Sequence, residues 1–419
     1  MNNFDPNLKT KKKINLSLII LLLSLQFLGI SMSVIYNTDL ENTTIYLAYS
    51  FILISLVSNY FLPKITKGDQ TFIFLVNLLY TISLIMLLRL TNNYAKNHII
   101  WYIIGIFVYL ITFYTIRLID NYIKDKFIFF LILTTLTFLI TLVFGFVSGG
   151  SKNWIQIGRF SVQLSEFAKI SYIFMIASYY YKYEAFIEKK FGKYYIVLAT
   201  YIFMLLFFLQ GELGTAILFF AILLSSIFVF EKRIPFIIFN IVLGLIGIYL
   251  ASLVLAHIKV RFDIWLDPWS DYNNKGYQII QGLFSIANGG FFGSGIGLGY
   301  PNLVPVVESD YILTAIIEEM GIFLGFAIIL IYILIFYKSI KVAIEFRNNY
   351  YSSLSLSIGL IYSFQALIMF GGILKLIPLT GITTPFLSYG GSSTLTNFVL
   401  LGILQYITAK TGVNYERYN

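Results

Sequence analysis

The chain lacks cysteine and has few histidines and few charged residues. With no cysteine among 419 residues, disulfides, thiolate nucleophiles and cysteine-ligated metals are excluded. His98 and His257 are the two histidines and lie far apart in the sequence, so neither a histidine metal cluster nor a conventional Ser-His-Asp triad is expected. Charged residues make up 12% of the chain, against about 25% in a typical soluble domain. That is too little charge for a water-facing surface, so nucleic-acid binding is excluded as the main role despite the net charge of +9.

The chain is instead rich in long apolar runs. Hydrophobic residues make up 58% of the chain and the mean hydropathy is +0.82. A membrane-spanning helix needs about 20 consecutive apolar residues. Such runs predict an all-α polytopic membrane protein with about twelve transmembrane helices. The runs begin near Ile14, Thr43, Thr71, His98, Phe127, Glu166, Tyr194, Leu213, Pro235, Asp310, Tyr351 and Ser388.

The distribution of basic residues orients these helices. If the N-terminus is cytoplasmic, 20 of the 29 Lys and Arg residues fall in cytoplasmic segments. The net charge is then +11 inside and −2 outside, as the positive-inside rule requires. We therefore expect one integral membrane domain over residues 1–410, a cytoplasmic tail at 411–419, and both termini in the cytoplasm.

Two outer connections are unusually polar or long. One covers residues 148–165, and the other, a large loop at 258–309, is far longer than the remaining connections. The large loop is rich in Trp, Tyr and Phe, so we expect it to be ordered and to lie against the membrane surface. Its stretch GGFFGSGIGLG, at Gly289 to Gly299, admits two interpretations. It forms turns and re-entrant backbone, or its amides approach a pyrophosphate.

Ionisable residues occur at several helix mouths, where charge is costly and often functional. Glu166 and Lys169 are three residues apart, which suits a local ion pair with Ser165 as helix cap as well as a functional site. Glu212 interrupts QGELGTA and marks a turn or a polar contact. Asp310 caps the helix that it begins or faces the aqueous mouth as a functional group.

Two further polar groups lie at or near these mouths. Glu318 and Glu319 are about 12 Å along the helix from Asp310, and their rotation keeps either from forming an adjacent carboxylate pair with it. They are expected to tie neighbouring helices together or to line a deep polar cavity. In IPLTGITTPFLSYGGSS, residues 377–393, Pro and Gly interrupt the helix at membrane depth, where irregular backbone must be buried or line a cavity. Together these groups predict one outward-opening polar cavity.

Four stretches in one order resemble the SEDS family of bacterial peptidoglycan polymerases, the family of RodA, FtsW and SpoVE. They are GSKNWIQIGRFSVQLSEFAK, QGELGTA, the large loop with the following VPVVESDYILTAIIEEMG, and PLTGITTPFLSYGGSS. The resemblance covers residues 149–406 and implies a core of ten spans, with two extra N-terminal helices in a divergent region at 1–95. The chain departs from the family pattern at Leu164, Gly211, Glu308 and Asn153, while the motif carboxylates are retained.

The resemblance implies polymerisation of lipid II on the outer face of the bacterial cytoplasmic membrane, with inversion at the anomeric carbon and release of undecaprenyl pyrophosphate. Asp310 matches the family's essential aspartate and is the expected catalytic base. Glu212, Glu318 and Glu319 are expected to be structural polar residues. The expected substrate-binding residues are Lys169, Glu166, Arg159, Arg261, Trp154, Ser388 and Ser392.

A divalent cation, Mg²⁺ or Mn²⁺, is expected to assist at the pyrophosphate. Its expected oxygen ligands are Glu166, Asp267 or Asp310, and no organic cofactor is expected. The implied partners are lipid II and polyprenyl-linked glycan, a class B penicillin-binding protein that supplies transpeptidation, and other membrane proteins of an elongation, division or sporulation complex. Two alternatives stay open: a flippase or transporter of lipid-linked oligosaccharide, and a non-catalytic scaffold of a cell-wall synthesis complex.

Overall fold

The computed structural model describes residues 15–148, 150–158 and 160–417, and these are almost entirely helical. The helices are α1 Leu16–Tyr36, α2 Asn42–Thr66, α3 Gln70–Leu90, α4 Asn92–Ile123, α5 Phe127–Phe144, α6 Leu164–Tyr181, α7 Tyr183–Ile187, α8 Tyr195–Gln210, α9 Leu213–Ser226, α10 Ile234–Val254, α11 Ala256–Leu266, α12 Tyr277–Gly289, α13 Ile312–Glu345, α14 Asn349–Ile373 and α15 Gly391–Arg417. Short 3-10 turns lie at Gly192–Tyr194, Pro268–Asp271 and Pro301–Leu303, and α9 continues as a π turn at Ile227–Glu231.

Within these described ranges, ten helices are long and apolar enough to cross a membrane. They are α1 to α5, α8 with its preceding turn, α9 with its π turn, α10, α13 and α14. The prediction of an all-α polytopic membrane protein is confirmed. The two other predicted spans form α6 and α15, which are helices of membrane length but too polar to meet the same criterion.

A small antiparallel sheet in the polar connection between α5 and α6 was not predicted. Its strands are β1 Phe146–Ser148, β2 Ser151–Ile157 and β3 Phe160–Gln163, in the order β1-β2-β3. Trp154 on β2 lies opposite Phe146 on β1 and Gln163 on β3. The alternation of apolar and polar residues along WIQI and FSVQ favours paired strands. The signal is short and stands next to the much longer apolar runs of the helices.

The helices α3 and α14 form the centre of the bundle. Nearly every residue of both is buried, whereas α10 buries only Asn240, Gly244 and Ala251. Serines along α14 bond to the neighbouring α13, as in the 2.7 Å hydrogen bond from Ser363 Oγ to the Tyr332 carbonyl. In a membrane, small residues and such hydrogen bonds hold helices together because apolar contacts with lipid are equally favourable.

The helix α13 is broken at Gly321, where φ is +87°. The amides of Ile322 and Phe323 donate to the carbonyls of Gly290 and Phe291, at 3.0 and 3.2 Å. In return, the Ser294 amide donates to the Glu318 carbonyl at 2.8 Å. The segment Gly289–Gly299, here called the glycine loop, therefore satisfies the backbone groups that the break leaves free, as membrane burial requires.

Candidate functional site

Asp310 lies at one mouth of the bundle, two residues before α13 begins. Its amide donates to the Val306 carbonyl at 3.2 Å, and Ser309 Oγ donates to Asp310 Oδ1 at 3.1 Å. Ser388, from the broken segment after α14, donates to the Ser309 carbonyl at 2.7 Å. The half-buried carboxylate is thus fixed by its own turn and by a hydroxyl from a distant part of the chain.

Arg261 on α11 faces the same place from the other side of the broken segment. Its Nη1 donates to the carbonyls of Thr380 and Leu379, at 2.7 and 3.3 Å. A Cβ added at Gly381 would lie 3.3 Å from Arg261 Nη2 and 3.7 Å from Asp310 Oδ2. Gly381 is exposed and has φ +70°, so it both permits the turn and leaves the gap between the cation and the carboxylate open.

The electrostatics of this pair suit proton transfer. Burial raises the pKa of Asp310, and the negative charge of Glu308 adds to this rise, while the Ser309 hydrogen bond and the positive charge of Arg261 oppose it. Burial likewise lowers the pKa of Arg261, and Asp310 counteracts that shift. A raised pKa makes a carboxylate a stronger base.

Glu166 and Lys169 form a buried ion pair on α6. Lys169 Nζ lies 2.7 Å from Glu166 Oε2, and the two side chains are 2% and 6% exposed. Thr396 donates to the same Glu166 oxygen at 2.8 Å. Lys169 also donates to Gln365 Oε1 at 3.1 Å. The local ion pair expected from their spacing is confirmed.

The Lys169 pair is connected to the broken segment through α14. Gln365 Nε2 donates to the Thr383 carbonyl at 2.6 Å, and the Thr383 hydroxyl donates to Ser393 Oγ at 2.7 Å. Thr383 lies two residues after Gly381. One irregular segment therefore connects the Lys169 pair on its inner side to the gap between Asp310 and Arg261 on its outer side.

Glu212 joins three elements beside this site. Its carboxylate accepts hydrogen bonds from Ser165 at 3.0 Å, Thr215 at 2.5 Å and Asn153 at 3.2 Å, and from Gln163 at 3.3 Å. Burial raises the pKa of Glu212, although these hydrogen bonds oppose the rise. The expected cap by Ser165 on α6 is wrong, because its hydroxyl bonds to Glu212 instead and the helix begins after Gln163 without a side-chain cap.

Two predicted substrate-binding residues lie around this junction. Ser392 accepts a 3.3 Å hydrogen bond from the Gln163 amide, which ties β3 to the first turn of α15. Trp154 on β2 lies opposite Gln163 on β3 and is half-buried. Arg159 lies outside the described residues.

Glu318 and Glu319 tie α13 to its surroundings, one of the two roles expected for them. Glu319 Oε1 lies 3.3 Å from Arg89 Nε on α3. The Gly297 amide donates to Glu319 Oε2 at 3.1 Å, and the Tyr300 amide donates to Glu318 Oε1 at 3.0 Å. An amide of the glycine loop and the Tyr300 amide just after it thus bind carboxylates of the same chain, which favours the turn interpretation over the pyrophosphate cradle.

The three expected metal ligands are not gathered. Among residues 15–148, 150–158 and 160–417, no group of three or more His, Asp or Glu side chains could hold a metal ion. Asp267 is exposed and accepts the Trp269 amide at 3.1 Å as the cap of a 3-10 turn, and Glu166 is engaged by Lys169. Because the sequence offers these carboxylates as alternatives, ligation of a cation by Glu166, Asp267 or Asp310 stays a prediction.

Sequence reasoning missed the polar residues that support the site. Gln365, Thr383 and Thr396 connect the Lys169 pair to its neighbours, and Tyr94 on α4 donates to Glu308 Oε1 at 3.0 Å. Gln365 is the one glutamine in the serine-rich helix α14, and nothing in its spacing distinguishes it. The pairing of Tyr94 with Glu308 crosses 214 residues and leaves no local signal.

The fold and this site define a multi-pass helical membrane protein with an ionisable site at one mouth of its bundle. The FtsW/RodA/SpoVE family, described as cell cycle proteins, matches residues 69–412. The chain therefore belongs to the FtsW/RodA/SpoVE family. The match begins just before α3 and leaves α1 and α2 outside it. That these two helices are additions to a core of ten stays a prediction, as do the domain boundaries at 95 and 410.

Individual relatives agree with this assignment. The peptidoglycan glycosyltransferase RodA of Mycobacterium leprae is 34% identical over 272 residues, which are 62% of this chain and 58% of that protein. The stage V sporulation protein E of Bacillus subtilis is 32% identical over 69% of this chain and 79% of its own length. The chain thus spans a little over half the length of the mycobacterial relatives that it matches.

The fold is similar to a solved structure. A structure of a peptidoglycan synthase complex that coordinates polymerization and crosslinking superposes with a TM-score of 0.63, at 20% identity, over 82% of this chain and 98% of the other. At this identity the likeness establishes the helical architecture.

Proposed function

We propose that this protein is a peptidoglycan glycosyltransferase that polymerises lipid II into β-1,4-linked glycan strands on the outer face of the cytoplasmic membrane. The observation that carries the proposal is the arrangement of Asp310 and Arg261 on either side of the exposed Gly381. Membership of the FtsW/RodA/SpoVE family supports it, as do relatives named peptidoglycan glycosyltransferases.

Asp310 is the proposed general base. As the 4-hydroxyl of the incoming GlcNAc attacks the anomeric carbon of the lipid-linked glycan, its proton passes to the Asp310 carboxylate. The new glycosidic bond forms while the bond to undecaprenyl pyrophosphate breaks, with inversion at that carbon. A sugar hydroxyl is a weak nucleophile, and a positioned base contributes about 10²–10⁴-fold to such a step.

Arg261 is the proposed electrostatic partner of the departing pyrophosphate. Its Nη1 is used by two backbone carbonyls, which fixes the guanidinium and leaves Nη2 on the open side at Gly381. A fixed cation at the place where negative charge develops stabilises the transition state without reorganisation. The charge of the enclosed Lys169 is balanced by Glu166, and direct contact of Lys169 with substrate stays a prediction.

An apolar recess near Arg261 suits a polyprenyl chain. A cavity of about 520 Å³ lies between α10 and α11, and Leu245, Ile248, Leu253 and Phe262 contribute apolar walls. Lys259 and Asp263 line the same cavity, and Lys259 offers a positive charge for the phosphate end. Because α10 is buried at only three positions, the recess can be reached from the lipid.

The proposed topology and partners follow the same reasoning. The positive-inside distribution supports cytoplasmic termini, with Asp310 outside. A class B penicillin-binding protein is the proposed transpeptidase partner, supported by the likeness to a synthase complex in which polymerization and crosslinking are coordinated. We also propose that Mg²⁺ or Mn²⁺ assists as part of the lipid pyrophosphate complex. Addition of EDTA to the assay should then abolish polymerisation. Unchanged polymerisation in EDTA would contradict a role for the cation.

The decisive experiment compares Asp310→Asn with wild type. The purified proteins are incubated with lipid II and a divalent cation, with and without candidate penicillin-binding proteins, and glycan strands are resolved on a gel. Asp271→Asn serves as a matched control, since Asp271 is a carboxylate of the same loop and bonds only locally to Asn274. Strands from wild type and the control, with none from folded Asp310→Asn, support the proposal. Equal strands from all three would remove Asp310 as the base, and none from any would favour a transporter or scaffold.

A further inference from the structure

A second polar recess lies beside the Asp310 mouth and has no place in the chemistry above. It has a volume of about 350 Å³ and is lined by one leucine and six polar residues. The polar residues are Asn37, Asp39, Arg89, Thr91, Asn92 and Asn302. They come from the connection between α1 and α2, from the end of α3 and the start of α4 with Thr91 between them, and from the large outer loop.

The walls of this recess are held in place by hydrogen bonds behind them. Asn37 Nδ2 donates to the Leu88 carbonyl at 2.7 Å. Asn92 donates to the Asp39 carbonyl at 3.0 Å and accepts from the Glu41 amide at the same distance. A polar surface fixed in this way loses little conformational entropy when a ligand binds.

Several polar groups on the walls keep unused hydrogen-bonding capacity. Arg89 uses Nε for Glu319, and its two Nη groups have no other partner among the described residues. The Asp39 carboxylate and the Asn302 amide are exposed and likewise have no side-chain partner in the described ranges. The recess therefore offers fixed donors and acceptors side by side, the arrangement that suits a neutral ligand rich in hydroxyl and acetamido groups.

The recess also adjoins the proposed catalytic mouth. Tyr94, in the first turn of α4 next to Asn92, donates to Glu308, which lies two residues before Asp310. Asn302 lies on the same stretch of the large loop, eight residues before Asp310. The Tyr94–Glu308 hydrogen bond and the shared stretch of loop therefore place the recess next to the Asp310 mouth.

We propose that this recess is a saccharide subsite that holds an N-acetylated amino sugar of the nascent glycan strand beside the Asp310 mouth. The proposal rests on the proposed polymerase function. It gives the α1–α2 connection, which lies outside the family match, a role in retaining the strand between additions. Retention of the product predicts processive synthesis of long strands, and its loss predicts early release.

The test combines chain length with direct binding. The double variant Asp39→Ala/Asn302→Ala removes the two unpartnered wall groups, and Asn273→Ala is the matched control, being an exposed asparagine of the same loop outside the recess. Binding of the soluble probe chitotetraose to each protein is followed by saturation-transfer NMR. We expect about tenfold weaker binding by the double variant, equivalent to about 1.4 kcal/mol, with glycan strands several-fold shorter than those of wild type and control.

The outcomes separate the subsite from the polymerase. Equal strand lengths and equal chitotetraose binding in all three proteins would overturn the subsite and leave the polymerase standing. If wild type makes no strands, the polymerase fails, and chitotetraose binding that the double variant loses would still support a saccharide site. Absence of chitotetraose binding by wild type would overturn the subsite in either case.

Discussion

Removal of Lys169 should destabilise the protein more than removal of both members of its ion pair. Lys169 and Glu166 are 2.7 Å apart and nearly fully enclosed, so Lys169→Met leaves a buried carboxylate with the Thr396 hydroxyl as its remaining partner. Breaking a buried pair in this way costs about 3–5 kcal/mol. Because Thr396 still solvates the carboxylate, we expect the lower end, about 3 kcal/mol, which is about a hundredfold in the unfolding equilibrium.

The double variant Glu166→Gln/Lys169→Met removes both charges together. Replacing both members of a buried pair is often neutral, so its stability should return close to that of wild type. Unfolding of Lys169→Met, Glu166→Gln and the double variant in detergent micelles gives the coupling energy of the pair. A Lys169→Met protein as stable as wild type would refute the reasoning.

The same double variant separates structure from substrate binding. If Lys169 only supports the broken segment, the stable double variant polymerises lipid II. If Lys169 contacts the pyrophosphate, the double variant is stable but loses activity. Glycan synthesis measured on the same protein preparation decides between these roles.

Four other changes probe the site and its supports. Arg261→Gln removes a charge that lowers the pKa of Asp310, so the acidic limb of the pH–rate profile should move to higher pH; an unmoved limb would contradict Asp310 as the titrating base. Gly381→Ala adds a Cβ 3.3 Å from Arg261 at φ +70° and should reduce activity at least tenfold while stability falls by about 1–3 kcal/mol; full activity would show that the gap is not used. Gly321→Ala places a Cβ 2.3 Å from the Phe291 carbonyl and should cost more stability than Gly247→Ala, where nothing lies nearby; equal melting temperatures would contradict this. Because burial raises the pKa of Glu212, the stability that this group contributes is lost as pH rises, and Glu212→Gln, which carries no charge at any pH, should weaken that dependence; an unchanged dependence of thermal stability on pH would count against it.

The sequence predicted the membrane architecture well because bilayer thickness imposes a length on every apolar run. It predicted the Glu166–Lys169 pair for a similar reason, since a spacing of three places both side chains on one helix face. It missed the strands β1 to β3 because short alternating segments next to long apolar helices carry a weak signal.

The remaining misses concern contacts between distant residues. Nothing in the sequence places Arg261 beside Asp310, because the arrangement depends on where α11 meets the broken segment after α14. The three candidate metal ligands, Glu166, Asp267 and Asp310, lie in separate segments of the chain, and ligation of a cation by any of them stays a prediction. Glu318 and Glu319 were expected either to tie neighbouring helices together or to line a polar cavity. The break in α13 at Gly321 brings them into contact with the large loop, and the helical periodicity of the sequence does not predict that break.

The contact between Arg89 and Glu319 bears on how the protein is made. The two residues are 230 positions apart, so at about 5–20 residues per second Arg89 leaves the ribosome roughly 10 to 50 seconds before its partner exists. Until then α3 carries an uncompensated charge near its end, at a cost below the roughly 2.5–3.5 kcal/mol of a charge at a helix centre. Nascent chains that stop before residue 319 should therefore be degraded faster by membrane proteases than chains that stop after α13, and equal half-lives would show that the wait carries no penalty.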